Sequence, residues 1–191
     1  MTVIHWVRHG PTHARSFVGH RDIPADLSDT ALIARLDAAL PADALVVSSD
    51  LRRAIDTASA LQGQRTRLPH RPGLREFDFG DWDGLHHHEV STRWPDLSRA
   101  YWETPGDIAP PNGESWNTAA ARIAADIAAL MAAHPNRDII AVAHFGAILS
   151  QVQWAAGLTP YRSLAHRIDN FSITEIQMRP TPGVARINYL P

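Results

Sequence analysis

The chain reads as an α/β protein: a three-layer α/β/α sandwich on a mainly parallel sheet of about six strands, with an antiparallel edge and a small lid region. Three observations predict this. Short apolar runs alternate with segments of helical periodicity, the pattern of strands joined by crossover helices. Several runs, such as Val3, Ile4, Trp6 and Val7 and again Ile139 to Ala143, are apolar enough to be strands covered on both faces. The last two strand-like runs, Phe171 to Met178 and Val184 to Tyr189, are joined by Pro180-Thr181-Pro182-Gly183, which reads as an antiparallel turn.

A chain of 191 residues, 45% hydrophobic and 20% charged, has the length for one domain over residues 1–191 with a sizeable core. A formal net charge of −2 gives no electrostatic reason to expect nucleic acid or an acidic membrane surface as partner. There are no cysteines, so disulfides and thiolate metal sites are excluded. All 18 basic residues are arginine, so every fixed cation is a planar fork suited to phosphate or carboxylate. The start carries no basic segment leading into a long apolar one, and no stretch approaches a membrane span. A soluble, cytoplasmic protein is the expectation.

The first strand runs straight into Arg8-His9-Gly10, where Gly10 and Pro11 break the extended backbone. A polar loop follows to Leu27. Ser28 then reads as the cap of a helix carrying Leu32, Leu36 and Leu40, and Pro41 marks its end. Ala44 to Val47 is a second buried strand. Its exit, Ser48-Ser49-Asp50, leads into a helix with Leu51, Ala54, Ala58 and Leu61 on one face and Arg53 in its first turn. Residues 65–74 suggest a further short strand, although Pro69 and Pro72 interrupt it.

Residues 76–113 read as an insertion of short helices and loops over one end of the sheet, rich in tryptophan, acids, histidine and proline. The tryptophans from Trp82 to Trp116 suit a satellite core beneath a lid. His86-His87-His88 reads as a solvated run, because consecutive side chains diverge and rarely share one ion. A long helix then spans about 115–134, with Trp116, Ala120, Ile123, Ile127 and Leu130 in steps of four and three. After the Ile139 to Ala143 strand comes His144, and Ala147 to Ala156 reads as a helix closed by Gly157.

Arg8 and His9, Arg53, and His144 therefore all follow strands. In an open α/β sheet the carboxyl ends of the strands line the ligand crevice, which brings such residues together. The helix after His144 would add backbone N–H groups and the positive end of its dipole. Two imidazoles, two guanidiniums and a helix N-terminus suit a phosphate dianion.

These motifs also occur in a familiar order. Arg8-His9-Gly10, Ser48-Ser49-Asp50-Leu51-Arg52-Arg53-Ala54, Leu74-Arg75-Glu76-Phe77-Asp78-Phe79-Gly80, Pro111-Asn112-Gly113-Glu114-Ser115, Ala143-His144-Phe145-Gly146 and Asn170-Phe171-Ser172 together span nearly the whole chain. In this order they resemble the histidine phosphatase superfamily, of phosphoglycerate mutase-like fold, in its short phosphatase-type form. The resemblance implies that His9 is the nucleophile and becomes a phosphohistidine. Arg8, Arg53, His144 and Phe145 would hold the phosphate oxygens, and Glu76 would protonate the leaving oxygen and then deprotonate water. It implies a scheme that needs no metal or cofactor and a small phosphomonoester as partner.

Thr12, Arg15, His20, Arg21 and Glu114 are candidate substrate contacts. Arg15 stands where many members have asparagine, Phe145-Gly146 replaces the common Gly-Gly, and Leu149 lies near the place of a basic residue. Glu114 has two readings: an acceptor for the phosphate-binding arginines, or an acid favouring the start of the long helix. Three functions stay open here: a phosphomonoesterase, a phosphoglycerate mutase, and a non-catalytic phosphate-binding module. Mutases of the family resemble each other in a longer, more basic insertion. Between Glu76 and Glu114 this chain has only Arg93 and Arg99, which favours the phosphatase.

Overall fold

The structure, a computed structural model, describes residues 2–191. Its strands are β1 (Thr2–Arg8), β2 (Leu45–Ser48), β3 (Ile139–Ala143), β4 (Ile173–Arg179) and β5 (Gly183–Tyr189). They form one sheet in the order β2-β3-β1-β4-β5. β2, β3 and β1 are parallel, whereas β4 runs antiparallel to β1 and β5 antiparallel to β4. The strand expected within 65–74 does not form. Only an isolated bridge joins Arg67 to Val46, and Pro72–Leu74 turns as a 3-10 helix. Pro69 and Pro72 lack the N–H groups a ladder needs, so the sheet has five strands.

The helices are α1 (Thr30–Ala39), α2 (Arg52–Leu61), α3 (His87–Arg93), α4 (Pro95–Glu103), α5 (Trp116–Ala133), α6 (Phe145–Ala156) and α7 (Pro160–Ser163). Asp29 caps α1, its carboxylate accepting from Leu32 N–H at 2.9 Å, one residue later than the expected Ser28. Ser115 caps α5 through Thr118 N–H at 3.2 Å. α6 starts at Phe145, two residues before the sequence suggested, with His144 at its N-cap. Gly157 ends it in the left-handed region at φ 63°.

Alternate sheet residues face opposite layers. Ile4, Trp6 and Ala141 pack with Ile123 and Ile127 of α5 and Ile148 of α6. Val7, Ile140 and Val142 pack with Leu36 of α1 and Ala54 and Ala58 of α2. Each fully buried isoleucine or leucine contributes about 1.5–3 kcal/mol, so both helical layers are held mainly by these apolar faces. A third cluster of Phe17, Trp82, Val90 and Tyr101, with Phe79, Trp94 and Trp102 partly buried against it, forms the lid. Trp116 departs from the expected satellite core: it lies in the main core, edge-on to Phe77 at 5.2 Å between ring centroids.

Strand register positions the site. Arg8 pairs with Ala143 and Ser48 with Val142. The ladder continues one step further through His9 N–H to Ala143 O and Ser49 N–H to Val142 O, each 3.1 Å. Residues 9, 49 and 144 therefore leave three neighbouring strands at the same end of the sheet.

Candidate active site

His9 is 6% exposed, and both ring nitrogens are placed. Nδ1 lies 2.7 Å from the Gly10 carbonyl, an acceptor only, so Nδ1 carries the proton and donates it. Nε2 is left with its lone pair, and Arg53 Nε–H approaches it at 3.3 Å. Burial, assisted by the Arg53 and Arg8 charges, holds the imidazole pKa down to about 3. The ring is thus neutral, with a free nitrogen beside two cations.

Arg53 comes from the first turn of α2 and is 1% exposed. Its other two nitrogens donate to Gly19 O at 2.7 Å and Arg21 O at 2.9 Å, which fixes the fork with Nε toward His9. The loop around residues 19–21 thereby anchors a helix residue. Thr57, one turn later, accepts from Gly10 N–H at 3.0 Å, and Asn170 donates to His9 O at 2.7 Å. The His9 backbone is consequently held from both sides.

His144 is fully buried, with its ring centroid 5.0 Å from that of His9. Its Nε2 lies 2.7 Å from Ser49 Oγ. That oxygen also accepts from Leu51 N–H at 3.4 Å. Burial first, then the charges of Arg53, His9 and Arg8, pushes the His144 pKa well below the ordinary histidine value. His144 Nδ1 and Arg8 Nε are buried without a protein partner. Buried polar atoms of this kind are costly unless a ligand meets them, and here both stand close to His9. Arg8 also donates to Ile168 O at 2.6 Å and lies 5.4 Å over the Phe145 ring.

Glu76 is 6% exposed and sits against the start of α6. Its carboxylate accepts from Gly146 N–H at 3.1 Å and Ala147 N–H at 3.2 Å. Two of the first three N–H groups of α6 therefore meet Glu76, and not a ligand as the sequence suggested. Among the described residues the Phe145 N–H has no protein partner. Gly146 is required here by contact, since a Cβ would lie 2.7 Å from Glu76 Oε1 and 3.2 Å from the Phe77 ring.

A cavity of about 260 Å³ opens over these groups, lined by Arg8, His9, Thr12, Arg53, Glu76 and Phe145 and by a wall from Ala14, Ser16, Phe17, Val18, Phe79, His87 and Trp102. The arrangement offers an uncharged nitrogen nucleophile, donors for an anion's oxygens and a carboxyl group facing one space. It suits attack on phosphorus.

The sequence profile of the histidine phosphatase superfamily (branch 1) matches residues 4–188. The chain belongs to this superfamily. Glucosyl-3-phosphoglycerate phosphatase of Mycolicibacterium vanbaalenii is 36% identical over 172 residues, which cover 80% of this chain and 73% of that protein. Its counterpart from Mycobacterium tuberculosis is 42% identical over 114 residues, 54% of this chain; the chain spans 50% of that relative's length. The solved structure of a mycobacterial glucosyl-3-phosphoglycerate phosphatase in complex with VO3 superposes with a TM-score of 0.83 at 30% identity, covering 97% and 98% of the two chains.

Within this member of the superfamily, several expected substrate contacts lie away from the cavity. Arg15 is exposed, and its carbonyl accepts from His86 Nδ1 at 3.1 Å. Arg21 is turned aside: its guanidinium donates to Ser16 Oγ at 3.0 Å and stands 3.8 Å from Asp83. His20 donates through Nε2 to Glu76 O at 3.0 Å and so braces the backbone behind the acid. Glu114 does not accept from the phosphate-binding arginines; it immediately precedes Ser115, the cap of α5. Arg122 of α5 binds both its oxygens at 2.8 and 2.7 Å and also donates to the carbonyls of Gly73, Arg75 and Glu76. Although burial opposes ionisation, the Arg122 bonds keep the Glu114 pKa below the usual carboxylate value.

The three consecutive histidines also divide. His86 bonds the Arg15 carbonyl, and His87 packs on Phe17 at 4.2 Å between centroids and lines the cavity. All three are exposed, as the sequence suggested, the first two making these contacts from the surface. Among the described residues, no three His, Asp or Glu side chains gather as they would around a metal ion, and no helix is long and apolar enough to cross a membrane. Sequence reasoning missed Arg122 as a brace, because a lone arginine on a helix's polar face carries no signal of three distant carbonyls. Ser49, at a strand's exit, was readable as a partner for a convergent side chain.

Proposed function

We propose that this histidine phosphatase is a metal-independent phosphomonoesterase that hydrolyses a small phosphorylated metabolite through a phosphohistidine. The observation that carries this reading is the state of His9, whose Nδ1 is committed to Gly10 O while Nε2 faces Arg53 inside the cavity. In the first step Nε2 forms a bond to phosphorus as the bond from phosphorus to the leaving oxygen breaks, and Glu76 gives that oxygen its proton. In the second, water attacks phosphorus, its proton passes to Glu76 and the N–P bond breaks. Arg8, Arg53, His144 and the Phe145 N–H hold the non-bridging oxygens through both steps.

Support for hydrolysis over phosphoryl return comes from the lid. Arg93 pairs within α3 with Glu89 at 3.7 Å, and neither Arg93 nor Arg99 lines the cavity. The relatives named as glucosyl-3-phosphoglycerate phosphatases support a small phosphorylated metabolite as the substrate class. The test is rapid quenching under alkaline conditions with a 32P-labelled ester, followed by assay of free phosphate with and without a chelator. A labelled, acid-labile enzyme that disappears in His9→Ala, with phosphate release unchanged by chelator, is expected. Turnover without any labelled enzyme, or retained turnover in His9→Ala, overturns the reading.

A further inference from the structure

The cavity is divided by charge. Its ionic groups, Arg8, His9, Arg53 and Glu76, stand together at the end where the phosphate binds in the reading above. The remaining wall consists of Thr12, Ala14, Ser16, Phe17, Val18, Phe79, His87, Trp102 and the Phe145 ring, and holds no fixed charge. The two arginines nearest in sequence do not change this: Arg15 is exposed, and Arg21 is bonded to Ser16 Oγ and Phe17 O.

The aromatic members of that wall, Phe17, Phe79, Trp102 and Phe145, share it with Thr12, Ala14, Ser16 and Val18. Phe17 meets Phe79 edge-on at 5.0 Å and lies nearly parallel to Trp102, 20° apart at 6.2 Å between centroids. Trp102 is fixed in turn by Tyr101 at 4.9 Å. A smaller recess of about 30 Å³ shares Glu76, Phe79, Trp102 and Phe145 with the cavity and adds Phe77, Tyr101 and Trp116. Apolar, aromatic walls of this kind favour flat or apolar groups, whereas a carboxylate placed against Phe17, Phe79 or Trp102, away from the Arg8 guanidinium over the Phe145 ring, loses hydration without gaining a cation.

We propose that the alcohol carrying the phosphate is an uncharged, ring-bearing group seated on Phe17, Phe79, Trp102 and Phe145, and that carboxylate-bearing alcohols of the glycerate type are discriminated against. The proposal rests on the phosphatase reading and names the substrate class of that same site. Glu76 borders both the main cavity and the recess, so a ring seated there brings its ester oxygen to the acid.

The experiment compares kcat/KM for 2-phenylethyl phosphate, glycerol 3-phosphate and 3-phosphoglycerate, three primary alkyl esters whose leaving oxygens are similar, with p-nitrophenyl phosphate as the activity control. The phenylethyl ester is expected to exceed 3-phosphoglycerate by about tenfold to 200-fold, the range that apolar pocket contacts deliver. Trp102→Ala is expected to lower the phenylethyl to glycerol ratio about tenfold, and Trp102→Phe to retain most of it. Ser16→Arg, which puts a cation on the wall, should raise 3-phosphoglycerate relative to the phenylethyl ester. Equal or reversed preference in the parent enzyme overturns the substrate class alone, as does an unchanged ratio in both Trp102→Ala and Ser16→Arg. No phosphate from any ester, including p-nitrophenyl phosphate, overturns the phosphatase reading as well.

Discussion

Arg53 Nε stands 3.3 Å from His9 Nε2, a guanidinium facing the one imidazole nitrogen that carries no proton. The two residues are joined by the fold, one leaving β1 and the other in the first turn of α2. The contact works against protonation of His9 and places a cation where a phosphate oxygen would arrive.

Replacing that cation has two separable effects. Arg53→Ala is expected to lower kcat by about 10²–10³, the usual worth of one donor to a developing oxyanion. It also leaves Gly19 O and Arg21 O without their donor, at a cost of about 1–3 kcal/mol. Arg53→Lys should recover little activity, because a point charge cannot reach two carbonyls and the site together. Steady-state kinetics paired with urea denaturation reads both.

The buried neutral histidine makes stability depend on pH in a defined direction. The unfolded chain binds a proton at His9 near pH 6.5, whereas the folded chain resists protonation until about pH 3. The His9 contribution is therefore complete above pH 6.5 and is lost as pH falls from 6.5 toward 3. At pH 5 the loss from this group is about 2 kcal/mol, 1.5 pH units at 1.36 kcal/mol each. His9→Asn should accordingly show a shallower fall in urea midpoint between pH 7 and pH 5 than the parent. ¹⁵N spectra of the parent at pH 5 should show His9 neutral, with its proton on Nδ1.

Glu76→Gln keeps the size of the side chain and removes the proton it transfers. A loss of about 10²–10⁴ in kcat is expected with alkyl phosphates, and a much smaller loss with p-nitrophenyl phosphate, whose phenolate leaves without a proton. Equal losses on the two esters would assign Glu76 to binding.

Arg122 is a positioning residue, since it touches Glu114 and the backbone around Glu76 but does not line the cavity. Arg122→Met leaves the Glu114 carboxylate without its partner and should cost about 2 kcal/mol or more. Its kinetic signature should follow that of Glu76→Gln, with kcat on alkyl esters falling more than on p-nitrophenyl phosphate. Adding Glu114→Gln to Arg122→Met should restore part of the stability but not this kinetic pattern.

Much of the architecture was legible because it follows from local chemistry. Apolar runs, helix periodicity and Gly157 marked the strands, the helices and the end of α6. The expected strand at 65–74 failed because Pro69 and Pro72 outweigh its apolar residues, a competition between hydrophobic pattern and hydrogen bonding. His20 and Arg21 were misread for another reason. Charged residues in loops look alike in sequence, and only neighbours from distant segments decide whether such a group faces a ligand or a carbonyl.

The order of residues alone determined an α/β chain that delivers His9, Arg53 and His144 to one sheet end, because strands and helices obey short-range periodicities and parallel connections have few solutions. Only tertiary structure decided that His9 turns Nδ1 to Gly10 and Nε2 to Arg53, that Glu76 takes the Gly146 and Ala147 N–H groups of α6, and that Arg122 holds the loop beneath it. Apart from the contact of His9 with the adjacent Gly10 carbonyl, those outcomes depend on hydrogen bonds and desolvation between residues 44 to 71 positions apart, and distances of that kind have no counterpart in a linear pattern.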